Sequence, residues 1–105
     1  MRTSVTAMHT RVQVLIPGLL QSYTDGARAV TLDLAMASSK PVLTLADILD
    51  ELDARYPGMR FRLVDEQGRI RPHIKMFLDT DLARELDVPI RDQRSLMIVG
   101  ALSGG

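Results

Sequence analysis

The sequence contains no cysteine and no tryptophan, and aromatic residues make up only 4% of it. Without cysteine there can be no disulfide, no thiolate metal ligand and no cysteine persulfide. Two histidines, His9 and His73, are too few for a histidine-rich metal site. Neither sign of charge is in excess: thirteen Lys+Arg stand against thirteen Asp+Glu. That balance lacks the basic footprint of a nucleic-acid-binding domain. Long apolar runs are missing as well. Val14-Leu15-Ile16 and Leu96-Met97-Ile98-Val99 fall far short of the ~20 residues that span a bilayer. Met1 to Arg11 lacks the apolar stretch of a signal peptide. The expectation is a cytoplasmic protein whose partners include neither nucleic acid nor membrane. There is no glycine-rich phosphate loop, and Ser22, Ser95 and Ser103 have no His/Asp partners in their sequence context. The side chains are poorly equipped for catalysis, and any reactive group is to be sought elsewhere.

What is present suffices for one packed domain. The chain has 105 residues, of which 46% are hydrophobic and 25% charged. A domain of this size buries roughly two-thirds of the surface its unfolded chain exposes. Met1 to His9 shows no sustained periodicity and reads as a loose arm, which sets the expected boundaries at 1–10 for the arm, 11–99 for the domain and 100–105 for a tail.

Val12, Val14 and Ile16 alternate with Gln13 and Leu15, a strand that Pro17-Gly18 ends. Thr24-Asp25-Gly26 is a turn signal. Val30, Leu32 and Leu34 form a second alternating strand, able to pair with the first as a hairpin. Ala35 to Pro41 reads as a loop. Leu45, Ile48, Leu49, Leu52 and Tyr56 then fall on one helical face. Thr44 and Asp47 make a variant capping box, and Pro57-Gly58 stops the helix. Phe61 and Leu63 alternate with arginines and predict a short strand. Asp65-Glu66-Gln67-Gly68 is a turn, and Ile74, Met76 and Leu78 mark another strand. Thr80 to Asp87 predicts a short helical turn with Leu82 and Leu86 inward. Val88-Pro89-Ile90 is extended, because a residue before proline avoids the helical region. Leu96 to Val99 is the last strand. One long helix against a mixed sheet buries these faces, an α+β class.

After the last strand the sequence reads Gly100-Ala-Leu-Ser-Gly-Gly105. Six extended residues reach about 20 Å. Two readings fit. The segment is a frayed end, or it is a thin strap that enters another protein's active site. Gly104 and Gly105 have no side chains to obstruct a narrow channel. Leu102 is apolar in an otherwise solvated stretch, as if it needs a pocket on a partner.

These features together resemble the ubiquitin-like sulfur carriers of the ThiS/MoaD type. The residues that carry the resemblance are Val12-Gln-Val-Leu-Ile-Pro17, Leu45-Ala-Asp-Ile-Leu49, Ile74-Lys-Met-Phe-Leu78 and Leu86-Asp-Val-Pro-Ile-Arg-Asp92. The strand from Ser95 to Val99 and the Gly-Gly end complete the set. The likeness lies in their order and spacing over Arg11 to Gly105. Asp92-Gln93-Arg94 lacks the glycine common in the family, and Gly100-Ala101 stands where relatives often carry proline. The region Ala35 to Val42 looks longer than in many relatives.

The resemblance implies a ubiquitin-like β-grasp fold with the first and last strands central and parallel. It implies a sulfur carrier, not an enzyme: a protein co-substrate. An adenylating enzyme of the ubiquitin-activating type would activate the carboxylate of Gly105 with ATP, which that enzyme and not this chain would bind. A sulfur donor would convert it to a thiocarboxylate, and a sulfur-accepting synthase would take the sulfur into cysteine, molybdopterin, thiamine or a related metabolite. No cofactor and no metal is expected on this chain. A modifier conjugated to lysines through Gly105, or a molybdopterin synthase small subunit, are the alternatives.

Alternation also separates the faces of the sheet. If Ile74, Met76, Leu78, Leu96 and Ile98 face the helix, then Leu15, Phe77, Met97 and Val99 face away. Adjacent strands would gather these four into an apolar patch. With Leu102, Ser103 and Gly104 they are the expected partner-binding residues. A sheet covered by loops or by the N-terminal arm is the plainer reading. Asp47, Asp50, Glu51 and Asp53 read as a solvated helix face. Arg60, Arg62, Arg69 and Arg71 read as edge-strand charge that deters aggregation, or as a docking patch for an acidic partner. His73 reads as an ordinary surface or half-buried residue rather than a catalytic base.

Overall fold

The structure, a computed structural model, describes residues 9–35, 42–91 and 93–100. The tail residues Leu102, Ser103, Gly104 and Gly105, the arm over 1–8 and the loop expected over 36–41 lie outside the described residues. Strand β1 (His9–Leu15) is followed by a 3-10 helix (Gly18–Thr24) and strand β2 (Ala29–Ala35). Helix α1 (Leu45–Arg55) and the short helix α2 (Met59–Leu63) come next, then β3 (Ile74–Leu78), β4 (Asp81–Ala83) and β5 (Ser95–Gly100).

The five strands form one mixed sheet in the order β2-β1-β5-β3-β4. β1 and β2 are antiparallel, as are β3 with β4 and β3 with β5, while β1 and β5 run parallel. The first and last strands therefore occupy the middle, as the resemblance implied. β1 begins at His9, which pairs with Ala35. Gly100 is the last residue of β5, paired with Ile74.

The alternation holds on every long strand. Val12, Val14, Val30, Leu32, Leu34, Ile74, Met76, Leu78, Leu96 and Ile98 are all buried on one face. Leu45, Ile48, Leu49 and Leu52 of α1 close over them. Burying such a side chain contributes about 1.5–3 kcal/mol against the entropy of ordering the chain.

Helix α1 starts where the sequence places it. The Thr44 N–H donates to Asp47 Oδ2 at 2.7 Å, half of the capping box. The Leu45 and Ala46 N–H groups, orphaned at the helix start, donate to the carbonyls of Val88 and Leu86. That contact explains the extended Val88-Pro89-Ile90 segment, whose Ile90 N–H returns to the Leu43 carbonyl. At the other end, Arg55 Nη1 donates to the Thr31 carbonyl on the edge strand β2 at 2.8 Å.

Two expected elements are corrected. Met59 to Leu63 is a helix, not a strand. The expected strand rested on Phe61 and Leu63, but Met59 and Leu63 stand four apart on one helical face, and those two are buried while Phe61 is 58% exposed. Gly58 at φ 95° turns the chain into α2. Asp53 Oδ1 on α1 accepts from the Gly58 and Arg60 N–H groups, both at 3.0 Å, so the stabilising cap comes from another element.

Thr80 to Asp87 is not a helical turn. Asp79, at φ 53°, begins a two-residue reversal, and β4 pairs back on β3 with Leu78 opposite Asp81. Asp tolerates that left-handed conformation better than most residues. Ala83 takes the buried position, and Leu82 points outward.

Candidate functional site: the outer sheet face and the root of the tail

The register sets five residues in one line across the whole sheet. Ala29 stands opposite Leu15, Leu15 beside Met97, Met97 opposite Phe77, and Phe77 opposite Leu82. All lie on the face away from α1. Leu15 and Phe77 are half-buried, while Met97 and Leu82 keep 38% and 37% of their surface exposed. Cross-strand neighbours of this kind are about 4.5–5.5 Å apart at Cβ, so the side chains form one continuous apolar stripe.

The stripe has a polar border on one side. Thr31, Gln13 and Ser95 occupy the next outward line, by the pairings Gln13 with Thr31 and Gln13 with Ser95. Asp79 seals that end, accepting at Oδ1 from the Ser95 N–H at 3.1 Å and the Ser95 hydroxyl at 3.2 Å. On the other side the apolar surface continues through Val99, 39% exposed and opposite Lys75. An apolar centre with a polar rim is how protein-binding surfaces are built.

Val99 leads to the root of the tail. Gly100 pairs with Ile74, and the Leu19 side chain of the 3-10 helix lies over it so closely that a Cβ at Gly100 would stand 2.5 Å from Leu19 Cδ2. The 3-10 helix is held by Gln21 Nε2, which donates to the Ile16 carbonyl at 3.1 Å, and by the buried Thr24 hydroxyl, 2.9 Å from the Ala27 carbonyl. The end of β5 is thus wedged between β3 and this helix.

Of the residues expected to meet a partner, the structure brings Leu15, Met97 and Phe77 into one line and sets Val99 on the tail side of it. Ala29 and Leu82 complete the stripe and were not anticipated. The two-residue Asp79-Thr80 reversal is the signal that places Leu82, because it fixes the register of β4 on β3. Leu19 was not anticipated either, since nothing local ties the 3-10 helix to Gly100.

Charged residues fall into distinct roles. Asp50 and Glu51 are exposed as expected, but Asp53 caps α2. Arg60 and Arg62 lie on a helix, so edge-strand protection does not apply to them. Arg60 Nε meets Asp50 Oδ1 at 3.1 Å, a charge contact rather than a hydrogen bond. Asp65 Oδ1 accepts from the Arg69 and Gln67 N–H groups, both at 2.9 Å. The bond from Arg69 chiefly, then that from Gln67, holds the Asp65 carboxyl below its ordinary value of 3.8. Among the described residues there is no group of three His, Asp or Glu that could hold a metal ion. No helix among them is long and apolar enough to cross a membrane.

No family model and no curated protein matches the chain. Solved structures do. The chain is similar to CysO in the Amycolatopsis orientalis BexX/CysO complex, with 27% identity over 90% of this chain and 99% of that one, at a TM-score of 0.71. It is similar to Mycobacterium tuberculosis CysO at 25% identity over 87% of this chain and 99% of that one, at a TM-score of 0.68. SAMP1 from Haloferax volcanii shares the fold at 23% identity, with 90% and 99% coverage and a TM-score of 0.68. The mixed sheet with its main helix is therefore the ubiquitin-like β-grasp fold. The resemblance to ThiS/MoaD-type proteins read from the sequence agrees with these neighbours.

Proposed function

We propose that this protein is a sulfur carrier that works through the carboxylate of Gly105. In this reading an adenylating enzyme of the ubiquitin-activating type binds ATP and the carrier together. A Gly105 carboxylate oxygen attacks the α-phosphorus, pyrophosphate leaves, and an acyl adenylate forms. Hydrosulfide from a sulfur donor then attacks the acyl carbon and expels AMP. The product loses its thiol proton to solvent and is a thiocarboxylate. A carboxylate is a poor electrophile, and adenylation gives it a leaving group; the thiocarboxylate is then a good nucleophile toward a sulfur-accepting synthase.

The apolar stripe from Leu15 through Met97 to Phe77, continuing by Val99 to Gly100, is the observation that carries this reading. It is a docking face continuous with the root of the segment that would react. A partner seated on Met97 and Val99 receives the strap Ala101-Leu-Ser-Gly-Gly105 directly from the end of β5. Leu102 fits the reading as an anchor within the partner's channel. The similarity to CysO proteins, one of them solved in complex with BexX, supports a carrier that acts by binding other proteins. The domain is a co-substrate in this scheme, and ATP belongs to the activating enzyme.

Intact-mass measurement after incubation with an activating enzyme, ATP and sulfide tests the proposal. The expected result is the mass gain for replacing one oxygen by sulfur, absent in a chain lacking Gly105. Isopeptide conjugates on lysines in place of that gain would instead establish a modifier.

A further inference from the structure

Two arginines lie over two aromatic rings next to the end of β5. The Arg71 guanidinium carbon is 4.7 Å from the Phe61 ring centroid, and Arg71 Nε donates to the Phe61 carbonyl at 2.8 Å. The Arg62 guanidinium carbon is 4.7 Å from the Tyr23 ring centroid. Phe61, Arg62, Arg71 and His73 line an open depression of about 300 Å³. The depression reaches to within one residue of the strand position that pairs with the root of the tail. His73 precedes Ile74, the partner of Gly100, and Tyr23 sits on the same 3-10 helix as Leu19, which covers Gly100.

Arg71 ties its segment to α2 through the Phe61 carbonyl and acts on the Asp65 carboxylate at longer range, but no carboxylate closes off either guanidinium. Among the described residues neither Arg62 nor Arg71 has an ion-pair partner within 4.0 Å, in contrast to Arg60 with Asp50. A guanidinium held over a ring keeps its in-plane N–H groups directed outward, and the stacking fixes its orientation before any anion arrives. Phe61, more than half exposed, adds an apolar contact that a simple inorganic anion would not use.

We infer that this depression docks an acidic segment of the partner protein that acts on the tail, with carboxylates on Arg62 and Arg71 and an apolar side chain against Phe61. The inference rests on the proposed function in that it takes the tail to be handled by a partner. Charge complementarity and continuity with the root of the tail select this occupant. A nucleotide base would have to stack on Phe61, the one benzene ring among the lining residues, over which Arg71 already lies.

The test is a titration of the isotope-labelled full chain with a doubly capped Asp-Glu-Leu-Asp-Glu peptide, followed by amide NMR. A Lys-Lys-Leu-Lys-Lys peptide and AMP serve as comparisons. The acidic peptide is expected to shift the Phe61, Arg62, Arg71 and His73 amides saturably, with Arg62→Glu weakening binding about tenfold and Arg11→Glu, the same charge reversal at the opposite end of the sheet, leaving it unchanged. No saturable shift, or equal shifts from the lysine peptide, overturns the inference. Tighter binding of AMP at the same amides overturns it in favour of a nucleotide site. In the adenylation assay Arg62→Glu is expected to raise the KM for the carrier about tenfold at unchanged kcat, by an amount that shrinks with added salt. Equal KM for the variant and the wild type overturns the docking site alone. A wild-type chain that is never adenylated overturns the proposed function, and the peptide titration then still decides this site.

Discussion

Met97 on β5 stands directly opposite Phe77 on β3, on the sheet face that α1 does not cover. Leu15 flanks Met97 on its other side, so Met97 sits at the middle of an apolar line crossing all five strands. A partner that closes over this face would desolvate Met97 most fully. Met97→Glu is therefore expected to weaken docking by at least ~2 kcal/mol, about thirtyfold in affinity. Because Met97 is 38% exposed in the free domain, the same change is expected to leave stability within about 0.5–1 kcal/mol. Carrier KM in the adenylation assay and thermal melting separate the two effects. Unchanged KM with an intact fold would remove the stripe from the docking face.

Gly100 makes a second, more local prediction. A Cβ there would come within 2.5 Å of Leu19 Cδ2, but that atom is the far end of a side chain already 37% exposed. Leu19 can swing outward. Gly100→Ala is expected to cost no more than about 1 kcal/mol, partly offset by the reduced freedom of the unfolded chain. Its signature is a displaced Leu19 methyl resonance rather than a large loss of stability. Combining it with Leu19→Ala should abolish the remaining cost, which a double-mutant cycle measures. A large loss in Gly100→Ala that persists in the double variant would show that the backbone, not Leu19, needs the glycine.

The strands and main helix were legible because each repeats one period over several residues. Val12 to Ile16, Val30 to Leu34 and Ile74 to Leu78 alternate too long to be mistaken, and α1 adds its own cap. Met59 to Leu63 was misread because five residues satisfy both periods, and the deciding group, Asp53, belongs to α1. Thr80 to Asp87 was misread because Leu82 and Leu86 are four apart. The reversal at Asp79 outweighed that spacing by recruiting a short strand to the sheet edge. Leu15, Phe77, Met97 and Val99 could be assigned to the outer face by parity alone. The alignment of Leu15, Met97 and Phe77 in one row, with Val99 beside it, could not, because register between strands distant in sequence is set by packing and turn geometry.

The pH dependence of stability should carry a contribution from Asp65. Its carboxyl is held below 3.8 by the Arg69 N–H first and the Gln67 N–H next, so folding favours the ionised form. A group whose folded value is depressed stabilises the fold above its unfolded value, and this contribution fades as pH falls through the folded value. Wild-type melting temperature is therefore expected to drop on acidification below about pH 4. Asp65→Asn should melt lower than wild type at neutral pH, and the gap should close at acid pH. A gap that stays constant down to acid pH would mean that Asp65 acts through its shape and not through its charge.

Asp53 offers the sharpest test of how α2 is held. Its Oδ1 accepts from both the Gly58 and Arg60 N–H groups at 3.0 Å, and no side-chain cap lies within α2 itself. A five-residue helix does not persist on intrinsic propensity, so it depends on this carboxylate and on the burial of Met59 and Leu63. Removing the acceptor in Asp53→Ala is expected to cost about 1–2 kcal/mol, the usual loss for a helix cap. Asp53→Asn keeps an acceptor oxygen and should recover most of that loss. Denaturant unfolding gives the free energies, and amide exchange at Arg60 locates them. The exchange readout also matters for the depression beside the tail, because Phe61 and Arg62 are carried by α2. If Asp53→Ala loosens α2, the acidic peptide should bind more weakly even though Arg62 and Arg71 are intact. Full peptide binding in a chain whose α2 amides exchange freely would show that the two stacked arginines hold their places without the helix.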